Sequence, residues 1–200
     1  MTAANNFEME DLFFEDKTYG KIDFTKKLLP KGDYENCSFE NCDFSNIDIS
    51  ATKFIDCVFT ACNLSMAKLG NTVFRDCSFK ESKMLALHFE DCNEYGLSFS
   101  FRDCVLNHSS FYQAKVKGVC FQNCQLQETD FTQADLTQAS FDGCDFLHAK
   151  FENTILEKAD FRKARRYTID PSINKIRKAK FALPEVIGLL YKHDIQIEGY

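Results

Sequence analysis

The sequence predicts an all-β solenoid that ends in a short C-terminal α-helix. Three observations lead there. A large apolar residue recurs every five positions from Tyr34 to Phe89, and again from Phe101 to Phe161. A small residue stands two places before most of them. No proline interrupts the chain between Pro30 and Pro171, as continuous ladder pairing requires.

The repeat explains an unusual composition of 21 phenylalanines and 10 cysteines in 200 residues. All 25 positions of the two runs are apolar, and 15 are Phe. We call these positions centres. The residue two before the centre is Ala, Cys, Ser, Thr or Gly in 21 of the 25 repeats; the exceptions are Ile47, Leu87, Phe99 and Val119. The other three positions are mostly polar. A period of five fits neither a helix at 3.6 nor a flat strand at 2.0. It fits a chain that turns a corner every five residues, with one large and one small side chain inside each wall. The small residue is needed because opposite walls lie close and two large ones would overfill the tube. Stacked coils would pair at ~4.8 Å.

Ala134-Asp135-Leu136-Thr137-Gln138, Cys42-Asp43-Phe44-Ser45-Asn46 and Ala159-Asp160-Phe161-Arg162-Lys163 carry the pattern most clearly. It resembles the A-(D/N)-L-x-x consensus of the pentapeptide-repeat family over Gly32 to Lys163. The resemblance implies a right-handed, four-sided (quadrilateral) β-helix of pentapeptide repeats, four repeats to a coil. Twenty-five repeats then make about six coils.

Three regions follow in order. Residues 1–31 read as an N-terminal cap and first irregular coil, with the register extending weakly through Phe14, Tyr19, Phe24 and Leu29. The opening Met1 to Phe14 lacks the basic region of a targeting signal, and no stretch approaches the roughly 18 apolar residues of a membrane span. A cytoplasmic protein is expected, with no membrane partner. Residues 32–163 form the repeat, broken at 90–100, where the register slips by two. The next centre would have been Glu94. This segment is either a bulge absorbing two residues or a small loop that meets a partner. Residues 164–200 form a C-terminal capping or dimerisation module. The pattern stops after Phe161, Asp170-Pro171 makes a turn, and Leu183 to Lys192 reads as a short helix. Ile195-Gln196-Ile197 alternates as a strand. Val186, Ile187, Leu189, Leu190, Tyr191, Ile195 and Ile197 exceed what one helix needs to cap a narrow tube. An open solenoid end must be covered or paired. A homodimer through this module is favoured over capping within one chain.

Nine cysteines fall at the small inward position: Cys37, Cys42, Cys57, Cys62, Cys77, Cys92, Cys104, Cys124 and Cys144. Only Cys120 departs. Core packing is the favoured reading. Zinc binding is the alternative, but C-x4-C spacing arises automatically in this repeat and puts the thiols on different walls. If the break adds two residues to one coil, Cys42, Cys62, Ser82, Cys104, Cys124 and Cys144 stack in one column.

No catalytic, cofactor or metal site is expected. His88, His108, His148 and His193 share no spacing, and no P-loop, GxGxxG, HExxH or GxSxG motif occurs. A net charge of −6 argues against a general nucleic-acid binder.

The tail adds a second resemblance. Asp170-Pro171-Ser172-Ile173-Asn174, a short apolar helix and a closing Ile-x-Ile are similar to the tail of the Qnr/McbG branch, which protects topoisomerases. The mid-rod irregularity is also similar to that of Qnr proteins, although only two residues are inserted here. The resemblance implies a tail-to-tail dimer and a DNA-mimicking rod that binds DNA gyrase or topoisomerase IV, without binding nucleic acid itself. Candidate partner-binding residues are Asp56, Asp76, Glu90, Asp91, Glu94 and Tyr95. The alternative is a scaffold with an unrelated protein partner. Residues 1–156 hold 24 acidic and 14 basic side chains, which favours the mimic. Residues 157–192 hold 4 acidic and 10 basic, which does not.

Overall fold

The structure is a computed structural model that describes residues 12–193 and 195–198. The chain winds as an all-β parallel solenoid of about seven turns. The first wall carries β1 (Leu12–Glu15), β3 (Gly32–Glu35), β5 (Lys53–Ile55) and β7 (Val73–Arg75) in one parallel sheet. The second wall carries β2 (Thr18–Gly20), β4 (Ser38–Glu40), β6 (Val58–Thr60), β8 (Cys77–Lys80), β9 (Phe99–Arg102), β10 (Cys120–Gln122) and β11 (Ser140–Asp142). The third and fourth walls are stitched by single bridges such as Asp43 to Asn63 and Asp48 to Lys68. Partners lie 20 residues apart, so four repeats close one coil.

The centres fill the tube. Tyr34, Phe39, Phe44, Phe54, Phe59 and Phe74 are fully buried, and centres on one wall stack flat on those one coil away. Phe39 and Phe59 lie 4.8 Å apart with an interplanar angle of 8°. Rings on adjacent walls meet edge to face, as Phe59 and Phe74 do. Both arrangements suit the ring quadrupole.

The polar positions have equally definite work. The Asp or Asn before the centre accepts the amide two residues on: Asp43 from Ser45, Asp130 from Thr132 and Asp135 from Thr137. These are Asx turns, and they explain the second letter of the repeat. Two residues past the centre the backbone is left-handed. Asn46, Ala51, Asp56, Ala61, Met66 and Asn71 all have φ between 50° and 60°. That conformation makes the corner, and sequence periodicity gave no hint of it.

All nine cysteines at the small position are buried, and Cys120 is exposed. They are more than fillers. Cys57 Sγ donates to the carbonyl of Tyr34 in the coil below at 3.3 Å, and Cys62 Sγ does the same to Phe39. Thr72, Ser109 and Thr154 make the same bond to Ile49, Met84 and Phe131. The small position thus prefers a residue that is compact and carries a donor. Burial pushes the Cys57 and Cys62 thiols up to about 12. The expected column holds: the carbonyls of Cys42, Cys62, Ser82, Cys104, Cys124 and Cys144 each accept an amide from the coil above.

Three readings of the tail need correction. The ladder does not stop with the sequence pattern. Arg165, Lys175 and Lys180 still bridge to Asp145, Ile155 and Asp160, and Phe181 stacks on Phe161. Ile169 and Asn174 keep the small-position register, Asn174 bonding the Phe151 carbonyl as Thr154 does that of Phe131, but Arg166 and Pro171 stand at the centre positions and Tyr167 fills the core from a shifted one, which hid this coil. The extra winding at both ends raises the coil count above six. Second, the expected α-helix is two short 3-10 segments, Glu185–Leu189 and Tyr191–His193. Gly188 docks closely on the last coil, where a Cβ would collide with the Tyr167 carbonyl oxygen. Third, Ile195 to Ile197 forms no strand. Residues 1–11 of the expected N-terminal cap lie outside the described residues.

Candidate functional site

The register break sits on the first wall, above β7. Asn93 donates its amide to the Thr72 carbonyl, and Ser98 donates its own to Phe74. Two residues below are therefore matched by five above, and the surplus bows outward as Glu94-Tyr95-Gly96. All three are exposed, Tyr95 by 77%. Beyond the bow the register is restored with an offset of 22, Cys77 pairing Phe99 and Ser78 pairing Ser100.

The bow is pinned at several points. Asn93 accepts the Tyr95 amide at 3.0 Å and donates to Asn71 at 2.8 Å. Ser98 Oγ donates to Asp76 at 2.9 Å. Lys115, from the coil above, holds Glu94 at 2.9 Å. Gly96 has φ +80°, and Arg75 lies beneath it so closely that a Cβ would stand 3.1 Å from Nε. The positive φ favours glycine here, and a side chain would also press on the Arg75 guanidinium.

The bow leaves this coil without a centre on the first wall. Phe99 fills the gap. It occupies a small position, yet is buried, with its ring 5.0 Å from Phe101 and 5.4 Å from Phe89. Leu97 packs beside the same core. One of the four exceptions to the small-residue rule is thus the compensation for the break.

The acids named from sequence surround this bow. Asp76 and Asp56 stack on the corner between the first two walls, both exposed. Asp91 stands at the opposite corner, its carbonyl accepting the Asn71 amide at 2.7 Å. Glu90 belongs to a short 3-10 turn, Phe89–Asp91. Its Oε1 lies 3.0 Å from His88 Nδ1, while Oε2 is buried without a hydrogen-bond partner. Glu90 and Glu94 line a groove that Tyr112, Gln113 and Lys115 complete from the coil above. Sequence reasoning missed these last three: they are outward residues of a regular repeat, and nothing in the repeat marks which outward residues line a groove.

The C-terminal face is the second candidate. Ile187, Leu190, Tyr191, Ile195 and Ile197 are exposed, joined by Leu183 at 83%. Val186 is half-buried, and Leu189 packs inward on the core, so Leu189 faces the rod rather than solvent. Arg166, Tyr167 and Thr168 complete a shallow groove of about 470 Å³ with the exposed residues. Beneath it, the buried carboxylate of Asp145 accepts Arg166 Nε at 2.7 Å, a second bond from Arg166 Nη2, and Gln127 Nε2 at 3.1 Å. Burial pushes the Asp145 carboxyl up, but Arg166 and Gln127 more than offset this and hold it below its usual value. The Arg166 amide in turn donates to Glu185, tying the tail to the last coil.

Among the described residues, no group of three or more His, Cys, Asp or Glu could hold a metal ion. No helix among them is long and apolar enough to cross a membrane.

Comparison with known proteins bears on the family. The model of the pentapeptide repeat region matches residues 32–111 and 87–161. No curated protein matches. Among solved structures, a trypsin-treated variant of QnrB1, a plasmid-mediated fluoroquinolone resistance protein, superposes with a TM-score of 0.61 at 16% identity, covering 94% of this chain and 98% of that one. HetL, a pentapeptide repeat protein involved in heterocyst differentiation regulation in the cyanobacterium Nostoc sp. strain PCC 7120, gives a TM-score of 0.65 at 13% identity, covering 86% and 87%.

Proposed function

The chain belongs to the pentapeptide-repeat family, and from that premise we propose that it is a non-enzymatic rod that binds a type II topoisomerase such as DNA gyrase or topoisomerase IV. The observation that carries this reading is the pinned bow at mid-rod. It projects Glu94 and Tyr95 from an otherwise flat wall, between corner acids Asp56, Asp76 and Asp91. An aromatic anchor ringed by carboxylates suits a basic protein surface, and holding it rigid lowers the entropy cost of docking. The Qnr-like tail motif and the likeness to QnrB1 support the choice of partner. The rod acts as a homodimer joined at the C-terminal face, whose exposed Ile187, Leu190 and Tyr191 suit a second copy.

A second reading has its own support. The acids do not gather on one wall: Asp43, Asn63 and Lys83 share a column, and Asp33 is neutralised by Lys53 at 2.8 Å. A scaffold that binds an unrelated protein would show such mixed charge, and HetL is as good a structural match as QnrB1. A supercoiling assay with purified gyrase, with and without a fluoroquinolone, separates the two. Inhibition or drug protection that weakens as salt rises supports the topoisomerase reading. Absence of both, with no gyrase binding at low salt, leaves the scaffold.

A further inference from the structure

The last coil carries a feature that the acidic rod does not explain. The ladder brings Lys158, Lys175, Arg177, Lys178 and Lys180 around one corner, between the first and second walls. Lys158 and Lys178 occupy the same corner position in successive coils, the Lys158 amide bonding to the Arg177 carbonyl at 3.0 Å. Lys175 and Lys180 are the ladder partners of Ile155 and Asp160 on the two adjoining walls. All five are exposed.

Acids do not neutralise this corner. Asp160 is committed to Arg162 at 2.6 Å and reaches Lys180 only at 3.9 Å. Glu157 is the other carboxylate on these walls in the last two coils, and neither it nor any other described acid pairs with Lys158, Lys175, Arg177 or Lys178. Elsewhere on the rod stacking sets several cations against an acid of the neighbouring coil, as with Lys53 and Asp33 or Lys117 and Asp135. Here the same stacking places cation on cation at about one coil spacing.

We propose that this corner binds the phosphate backbone of duplex DNA. The cations form an array of mostly lysine point charges around one corner of the rod, without an exposed apolar anchor among them. Protein interfaces are depleted in lysine and built around buried anchors. Phosphate-backbone contacts need neither, and draw their free energy from counterion release. The net charge of the whole chain conceals the site because these cations cluster at one corner of the last two coils.

Fluorescence anisotropy with a short labelled DNA duplex tests this on the full chain. The wild type is expected to bind at ~50 mM salt and to weaken steeply by ~200 mM, with a log–log slope of roughly −3 to −5 for four or five phosphate contacts. A Lys158→Glu, Arg177→Glu, Lys178→Glu variant should lose more than about tenfold in affinity. A control of equal charge change at the other end of the rod, Lys21→Glu, Lys27→Glu, Lys31→Glu, should lose much less. Matching thermal melts for the variants show that the fold is kept. Absence of binding at low salt, equal loss in both variants, or tighter binding to anionic lipid vesicles than to the duplex would overturn the proposal.

Discussion

Phe99 shows how far a single residue can be interpreted. In the sequence it is an exception to the rule of a small side chain two before each centre. In the structure it replaces the centre that the bow removes. Phe99→Ala should therefore cost about 3–5 kcal/mol, as for other large core truncations, measurable by urea melts. The small positions make a subtler prediction. Thr154 Oγ1 donates to the buried Phe131 carbonyl at 2.8 Å. Thr154→Val keeps the volume and removes the donor, so it should cost about 1–2 kcal/mol. Asp145 gives the pH dependence. Its folded pKa is depressed, so its contribution is present above the unfolded value of ~3.9 and is lost as pH falls through the lower folded value. Asp145→Asn should melt below wild type at neutral pH, and the gap should close in strong acid. Periodicity identified the Cys, Ser and Thr positions as small and inward. Their hydrogen bonds to the coil below join residues 23 apart, a contact that the five-residue period does not reveal.

The elements were legible in proportion to their regularity. Walls built from unbroken repeats have the expected partners, because a 20-residue register follows directly from four five-residue steps. The break was visible as a slip of two, and its position was right. Its shape was not visible, because Asn93, Asp76 and Lys115 pin it from three different coils. The tail was least legible. Its helix signal was real, but the turns are 3-10 rather than α, and Gly188 docks on Tyr167 with no room for a Cβ. Gly188→Ala should therefore unseat the tail, lowering the melting temperature and raising proteolysis after Phe181. The break allows a cleaner test. Replacing Glu94–Gly96 by one leucine restores the period and supplies a centre. With Phe99→Ala to relieve the overfilled interior, this flush-wall variant should keep the rod folded to within about 2 kcal/mol.

At the scale of the whole molecule, the rod has an acidic body, an aromatic projection at mid-length, an apolar end face and a basic last coil. The end face predicts the oligomeric state. Ile187 and Leu190 face solvent, whereas Leu189 packs inward, so Ile187→Asp with Leu190→Asp tests association without disturbing the core. The wild type should elute as a dimer and this variant as a monomer. The central claim is that the mid-rod bow is the surface that engages a topoisomerase, and the flush-wall variant tests it most directly. Its affinity for purified gyrase should be measured beside that of the wild type, by surface plasmon resonance at low salt. The account predicts tight binding by the wild type and a loss of at least about 2 kcal/mol in the variant, as for removal of a hot spot. Equal binding by two equally folded proteins would contradict it.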